Sequence, residues 1–256
     1  MEDHGGSDTT FRPPMHSAST DLPNDIPSPV PPHPGDTLLT PARAARWRQV
    51  LARRTGRLAV VVEDCFDPHN ASAIVRTCDA FGVHRVWVTT AKNAFRLNPK
   101  VCQGSHLYLD LHIQPTIADA YAELRALGYR ILVSDLAAGA VPGPGLLKPL
   151  LDERPLALVF GNEGNGVSPE AVAGADGAFL IPMVGFPQSL NLSVSVATSV
   201  YALRQREMEA NLPGDLSAEE QIATYDRWIR RDKGEDVVAK TFGEDRHGEV
   251  VEEYRG

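Results

Sequence analysis

Three short stretches of this chain combine residue types that bind ligands or move charge. In DPHNASAIVRTCDAFG at 67–82, Asn70 and Arg76 share a segment that is otherwise small and apolar. An arginine set among Ala73, Ile74, Val75 and Cys78 suits a phosphate or carboxylate, since its planar fork meets two oxygens at once. Asn70 also has the residue type of a helix cap. In LVFGNEGNGVSPE at 158–170, Gly161, Gly164 and Gly166 allow a tight turn and close approach to a ligand. Glu163 puts a carboxylate inside that turn. In IPMVGFPQSLNLSVSVATSVYAL at 181–203, Pro182, Gly185 and Pro187 exclude regular structure. Main-chain N–H and C=O groups along 181–190 are then left for another partner. Ser189 and Asn191 come next, beside a helix start, where polar ligands bind and where the same residues serve as caps.

The spacing also excludes chemistries. The glycines read GxxGxG, not the GxGxxG of dinucleotide folds, and Asp176 comes too early to hold a ribose. No Walker lysine follows, so nicotinamide and nucleoside-triphosphate chemistry are both disfavoured. Cys65, Cys78 and Cys102 are odd in number and lack CxxC spacing. They give neither a zinc site nor a disulfide framework and suit a reducing cytoplasm.

Those residues need elements to position them. Pro41 opens a helix over 41–54, and RLAVVVED at 57–64 reads as a strand buried on both faces. Asn70 then caps a helix over 71–81 that stops at Gly82. Strands are predicted at 84–90, 107–113, 129–136, 155–161 and 177–183. Helices are predicted at 116–127, from Ser168-Pro169-Glu170 onward, at 191–210 and at 217–231. Small residues Ser193, Ser195, Ala197 and Ser199 suit close packing of one more backbone. Strands alternating with helices give an α/β domain with a mostly parallel sheet.

Composition sets the boundaries. Residues 1–36 hold eight prolines and little apolar periodicity, predicting a disordered tail without the features of a secretory signal. Residues 232–256 are charge-rich and are expected to be a flexible tail, leaving 37–231 as the folded unit. The net charge of −8 is concentrated at the ends: six acids against one base in 1–40, eight against four in 232–256. The middle is nearly neutral and includes Arg43, Arg46, Arg48, Arg53, Arg54 and Arg57 with no acid among them. Such a cluster suits a polyanion or a solvated helix face. No apolar run is long enough to span a membrane.

The three motifs resemble the N-x-S-A-x-x-R, G-x-E-x-x-G and I-P-M-x-G-x-x-x-S-L-N-x-S-V stretches of the SpoU/TrmH family of RNA ribose 2'-O-methyltransferases, in the SPOUT superfamily. The similarity runs from about residue 43 to about 231. It implies an α/β sheet closed by a C-terminal deep trefoil knot and flanked by N- and C-terminal helices. It also implies a cytoplasmic homodimer that needs no metal and binds S-adenosyl-L-methionine. By resemblance the cofactor contacts are Leu136, Phe160, Gly161, Glu163, Ile181, Met183, Leu190 and Ser195, with Leu136, Ile181 and Leu190 sandwiching the adenine. Arg76 matches the catalytic arginine, supported by Asn70, Glu163, Ser189 and Asn191. The flanking helices supply RNA-binding Arg43, Arg46, Arg53, Arg54, Arg57, Arg204, Arg206, Arg230 and Arg231. They point to tRNA, with guanosine 18 of the D-loop as the implied target. Ribosomal RNA methylation and a catalytically silent RNA-binding homologue are the alternatives.

Overall fold

The computed structural model describes residues 26–137 and 139–242. Seven strands form one parallel sheet: β1 (Thr55–Glu63), β2 (Val83–Thr89), β3 (Asp110–Gln114), β4 (Arg130–Ser134), β5 (Val141–Pro142), β6 (Leu156–Phe160) and β7 (Gly177–Leu180). Their order across the sheet is β3-β2-β1-β6-β4-β7-β5. The helices are α1 (Pro41–Leu51), α2 (Pro68–Ala80), α3 (Pro99–Cys102), α4 (Ile117–Ala126), α5 (Lys148–Glu153), α6 (Pro169–Gly174), α7 (Leu192–Glu209), α8 (Ala218–Lys233) and α9 (Glu235–Phe242).

The continuous apolar runs become central strands because both sheet faces are covered. In β1, Leu58, Val60 and Val62 pack with Ile74 and Val75 of α2 and with Val196 and Val200 of α7. The alternate residues Ala59 and Val61 pack with Ala120, Tyr121 and Leu124 of α4. This is the two-residue period of a strand turned into two cores. A third apolar cluster joins Val30, Trp47 and Leu51 to Tyr225, Trp228 and Ile229, fastening α1 and α8 together.

Several boundaries differ from the sequence reading. The cap of α2 is Asp67, whose side chain accepts from the His69 N–H, and Pro68 fills the first helical position. Asn70 is therefore not the cap; it lies in the first turn, buried, with its amide free to turn elsewhere. The predicted strand at 107–113 begins only at Asp110. Residues Ser105–Tyr108 form a 3-10 turn instead, because the Tyr108 ring packs edge-on against Trp47 and Trp228 rather than on the sheet.

The composition-based ends also shift. Residues 26–36, read from prolines as part of a disordered tail, pack onto the domain: Ile26 and Val30 are buried. Asp36 accepts from Arg48 Nη2 at 2.6 Å and from the Tyr225 hydroxyl at 2.5 Å. At the other end α8 continues to Lys233, and α9 follows with Val238 buried. The remainder of both predicted tails, 1–25 and 243–256, lies outside the described residues.

Candidate functional site

Because α2 starts at Pro68, Asn70 points at the Gly-rich turn after β6. Its Nδ2 donates to Glu163 Oε1 at 3.0 Å, and its Oδ1 accepts from Asn191 Nδ2 at 3.1 Å. Asn191 in turn caps α7, its Oδ1 accepting from the N–H groups of Ser193 and Val194 at 2.9 and 3.3 Å. One hydrogen-bonded chain thus links all three motif segments.

Glu163 is the charged end of this chain. It also accepts from Cys65 Sγ at 3.2 Å and from the Phe66 N–H at 3.4 Å. Partial burial alone would raise its carboxyl pKa. The hydrogen bonds from Asn70, its own main chain, Cys65 and Phe66 outweigh that and hold it below the usual glutamate value. Burial, reinforced by the Glu163 charge, pushes the Cys65 thiol up to about 12. The thiol therefore remains a protonated donor and is unsuited to nucleophilic work at neutral pH.

The Gly-rich turn is held by its own geometry. Asn162 and Gly166 pair across it, and Asn162 Oδ1 accepts from the N–H groups of Gly164 and Asn165 at 3.0 and 2.8 Å. A Cβ on Gly161 would fall 1.8 Å from the Gly166 carbonyl carbon, so only glycine fits there.

A cavity of about 270 Å³ opens beside this turn, at the carboxyl ends of β4, β6 and β7. In parallel sheets that edge is where ligands bind. Leu136, Ile181, Met183, Ser189, Leu190 and Ser195 line it. Of the other residues expected at a cofactor, Phe160 is elsewhere: it is 2% exposed, and its ring packs edge-on against Phe179. Gly161 serves the turn, and Glu163 faces Asn70 instead of the cavity. Ser134, Asp135, Gln188 and Asn165 line the cavity without having been singled out from the sequence. The available signal was the end of a buried strand, which marks Ser134 and Asp135 but not the loop residues. Among the described residues, no main-chain group between Pro182 and Leu190 bonds to another main-chain group.

Residues 57–201 match the SpoU rRNA Methylase family. The chain belongs to that family. A SpoU relative named tRNA (guanosine(18)-2'-O)-methyltransferase, from Escherichia coli strain K12, is 39% identical over 170 residues, 66% of this chain and 72% of that one. The 23S rRNA (guanosine(2553)-2'-O)-methyltransferase RlmP of Bacillus subtilis is 30% identical over 153 residues, 59% of each chain. Among solved structures, the A. aeolicus TrmH/SpoU tRNA modifying enzyme superposes with a TM-score of 0.67 at 33% identity. It covers 75% of this chain and 97% of its own.

In this SpoU chain Arg76 is exposed on α2, its Nη1 reaching the Val101 carbonyl at 3.5 Å. The arginines expected to bind RNA divide. Arg54 is fully buried, paired with Asp79 and lying 5.6 Å over the Trp228 ring. Arg204 is buried and donates to the carbonyls of Phe81 and Arg53 at 3.2 and 3.1 Å. Both fasten helices together and cannot meet RNA. Arg43 pairs with Asp232 at 2.5 Å, and Arg230 with Asp226 at 2.6 Å. Arg57 bonds the Leu151 carbonyl at 2.5 Å, Arg231 the Leu107 and Leu109 carbonyls at 3.2 Å, and Arg53 Nη2 the Asn211 side chain at 3.0 Å. Arg46 and Arg206 stand exposed.

Proposed function

We propose that this chain transfers the methyl group of S-adenosyl-L-methionine to a tRNA ribose 2'-hydroxyl, at guanosine 18 of the D-loop. The observation that carries this is the meeting of three motif segments at one sheet edge: Asn70, Glu163 and Asn191 bonded in series beside the cavity of Ile181, Met183 and Leu190. The E. coli relative's identity points to the tRNA target.

The residues present fit the cofactor. Leu136 and Leu190 offer apolar surface to an adenine, and the main chain from Pro182 to Leu190 has hydrogen-bonding groups to spare. When bound, the cofactor supplies a sulfonium methyl, an electrophile that needs no metal. The chain must hold a ribose hydroxyl in line with it, which supplies much of the rate. Arg76 is the catalytic residue in this reading. Its planar guanidinium fork binds the neighbouring phosphate and stabilises the alkoxide developing on the ribose oxygen. Glu163, held ionised, fixes the Asn70 amide, and Asn70 fixes Asn191 at the start of α7. Ser189 lines the donor cavity next to them.

The same reading includes a cytoplasmic homodimer and a trefoil knot. Val184 and Phe186 are fully exposed, and Val194 and Tyr201 of α7 are exposed beside them in sequence, a surface suited to a second copy. The knot is supported by β7 inserting between β4 and β5, both earlier in the chain. The methyltransferase unit is residues 37–231, extended by the packed residues at both ends, and Arg46 and Arg206 are the flanking arginines free to meet RNA.

Arg76→Ala tests the assignment. Methyl transfer at saturating RNA should fall about 10²–10³-fold, while calorimetric binding of S-adenosylmethionine stays unchanged. Full activity in the variant would remove Arg76 from the chemistry.

A further inference from the structure

No motif falls in residues 90–106, the loop and short helix that follow β2. Yet this stretch has a distinct composition. From Thr90 to Leu109 there is no acid, while Lys92, Arg96 and Lys100 are all present, in a chain whose net charge is −8. All three cations are exposed, and none forms an ion pair among the described residues. This contrasts with the arginines of α1 and α8, most of which are engaged within the fold.

The segment is built as a surface. Phe95 and Leu97 turn inward and pack against the main core, leaving Arg96 between them to face out. The Lys92 N–H donates to Asp64 Oδ1 at 2.9 Å, and Asn93 Nδ2 donates to the Asp64 carbonyl at 3.1 Å. Asp64 is buried and holds a left-handed φ of 51°, placing its acceptors under the loop. The Asn98 N–H donates to Ser72 Oγ at 2.7 Å. Arg76 itself donates to the Val101 carbonyl at 3.5 Å.

These anchors lay the segment along α2, the helix that carries Asn70 and Arg76. They also keep it at the carboxyl edge of the sheet, because it leaves the end of β2. Across that edge come the cavity at β4, β6 and β7 and the Asn70–Glu163 pair between β1 and β6. Arg76, on the same helix as Asn70, reaches the Val101 carbonyl of the segment that carries the three cations.

We infer that Lys92, Arg96 and Lys100 form the phosphate-binding track for the RNA strand that presents its ribose to Arg76. The inference rests on the reading of this chain as an RNA 2'-O-methyltransferase and adds the face from which the strand arrives. Cations without acidic neighbours on an anchored loop attract a polyanion, and each phosphate contact adds to the salt dependence of binding.

The test is a triple substitution, Lys92→Ala, Arg96→Ala and Lys100→Ala, in the full chain. The probe is an unmodified tRNA transcript, with filter binding at several salt concentrations alongside steady-state methyl transfer. We expect the KM for RNA to rise about tenfold or more, and the slope of log affinity against log salt to fall by about two to three. kcat at saturating RNA, Tm and S-adenosylmethionine binding should stay near wild type, since none of the three side chains touches the donor cavity or core. Restoring Arg96 alone as Lys should recover part of the affinity. Unchanged KM and salt slope in an active, folded triple variant would overturn the track. A wild-type chain that binds S-adenosylmethionine but labels no RNA would overturn the methyltransferase reading instead, a result seen before any variant is made.

Discussion

Asn70 shows how much a single amide can organise. One side chain donates to Glu163 and accepts from Asn191, so its two ends are fixed by groups from two other segments. Removing it leaves a carboxylate and an amide without those partners. Asn70→Ala should cost about 1–3 kcal/mol of stability and lower kcat/KM for methyl transfer by about tenfold. Asn70→Asp should be worse, because it replaces the donor facing Glu163 with a second carboxylate. Thermal denaturation and single-turnover transfer measure the two effects, and equal behaviour of the two variants would deny the Glu163 contact. Asn70 and Glu163 stood out in the sequence by residue type. What was not readable was their partnership: the sequence reading made Asn70 the helix cap, whereas Asp67 holds that position and leaves the Asn70 amide for Glu163 and Asn191.

At the scale of elements, apolar runs announced the central strands, and Pro41 and the Ser168-Pro169-Glu170 run announced their helices. The misreadings have one physical source: a side chain recruited by another element. Tyr108 alternates as a strand residue should, but the rings of Trp47 and Trp228 claim it. The arginines of 43–57 look alike in sequence, yet Arg54 is fully buried, Arg46 is exposed and the other four are half-buried. Arg54→Ala would leave Asp79 without its cation and open a gap against Trp228. It should cost about 3–5 kcal/mol and lower Tm, with any loss of RNA binding following from unfolding. Arg46→Ala should change stability by less than about 0.5 kcal/mol and weaken RNA binding directly. Chemical denaturation beside filter binding separates the two. A stable Arg54→Ala protein with weakened RNA affinity would return that residue to the interface.

Over the whole molecule, the two ends of the described chain are joined. The stretch from Ile26 to Asp36, read from its prolines as part of a tail, runs back across α1 and α8. Proline content signals a lack of helix and strand; it does not report whether an extended strap finds an apolar surface. Asp36 is the polar fastening. Burial raises its carboxyl, but bonds from Arg48, Tyr225 and the His33 main chain outweigh this and hold it below its ordinary value of 3.8. Its contribution is therefore complete at neutral pH and is lost as the pH falls below about 3.8. Asp36→Ala should cost about 1–3 kcal/mol at pH 7, with the difference from wild type shrinking in acid titrations followed by circular dichroism. A difference independent of pH would show that packing, not the carboxylate, holds the strap.

The cavity of Ile181, Met183 and Leu190 and the Asn70 relay lie at one edge of the sheet, and Arg76 joins the helix of Asn70 to the segment that carries Lys92, Arg96 and Lys100. The proposed reaction asks of its substrate a ribose flanked by phosphates. The most direct measurement is methyl transfer from radiolabelled S-adenosylmethionine to unmodified tRNA transcripts, followed by mapping of the labelled ribose. Label on the 2'-oxygen of guanosine 18, absent when that nucleotide carries a 2'-deoxyribose, is the predicted result. Label confined to ribosomal RNA would contradict the target, and no label on any RNA would contradict the assigned chemistry.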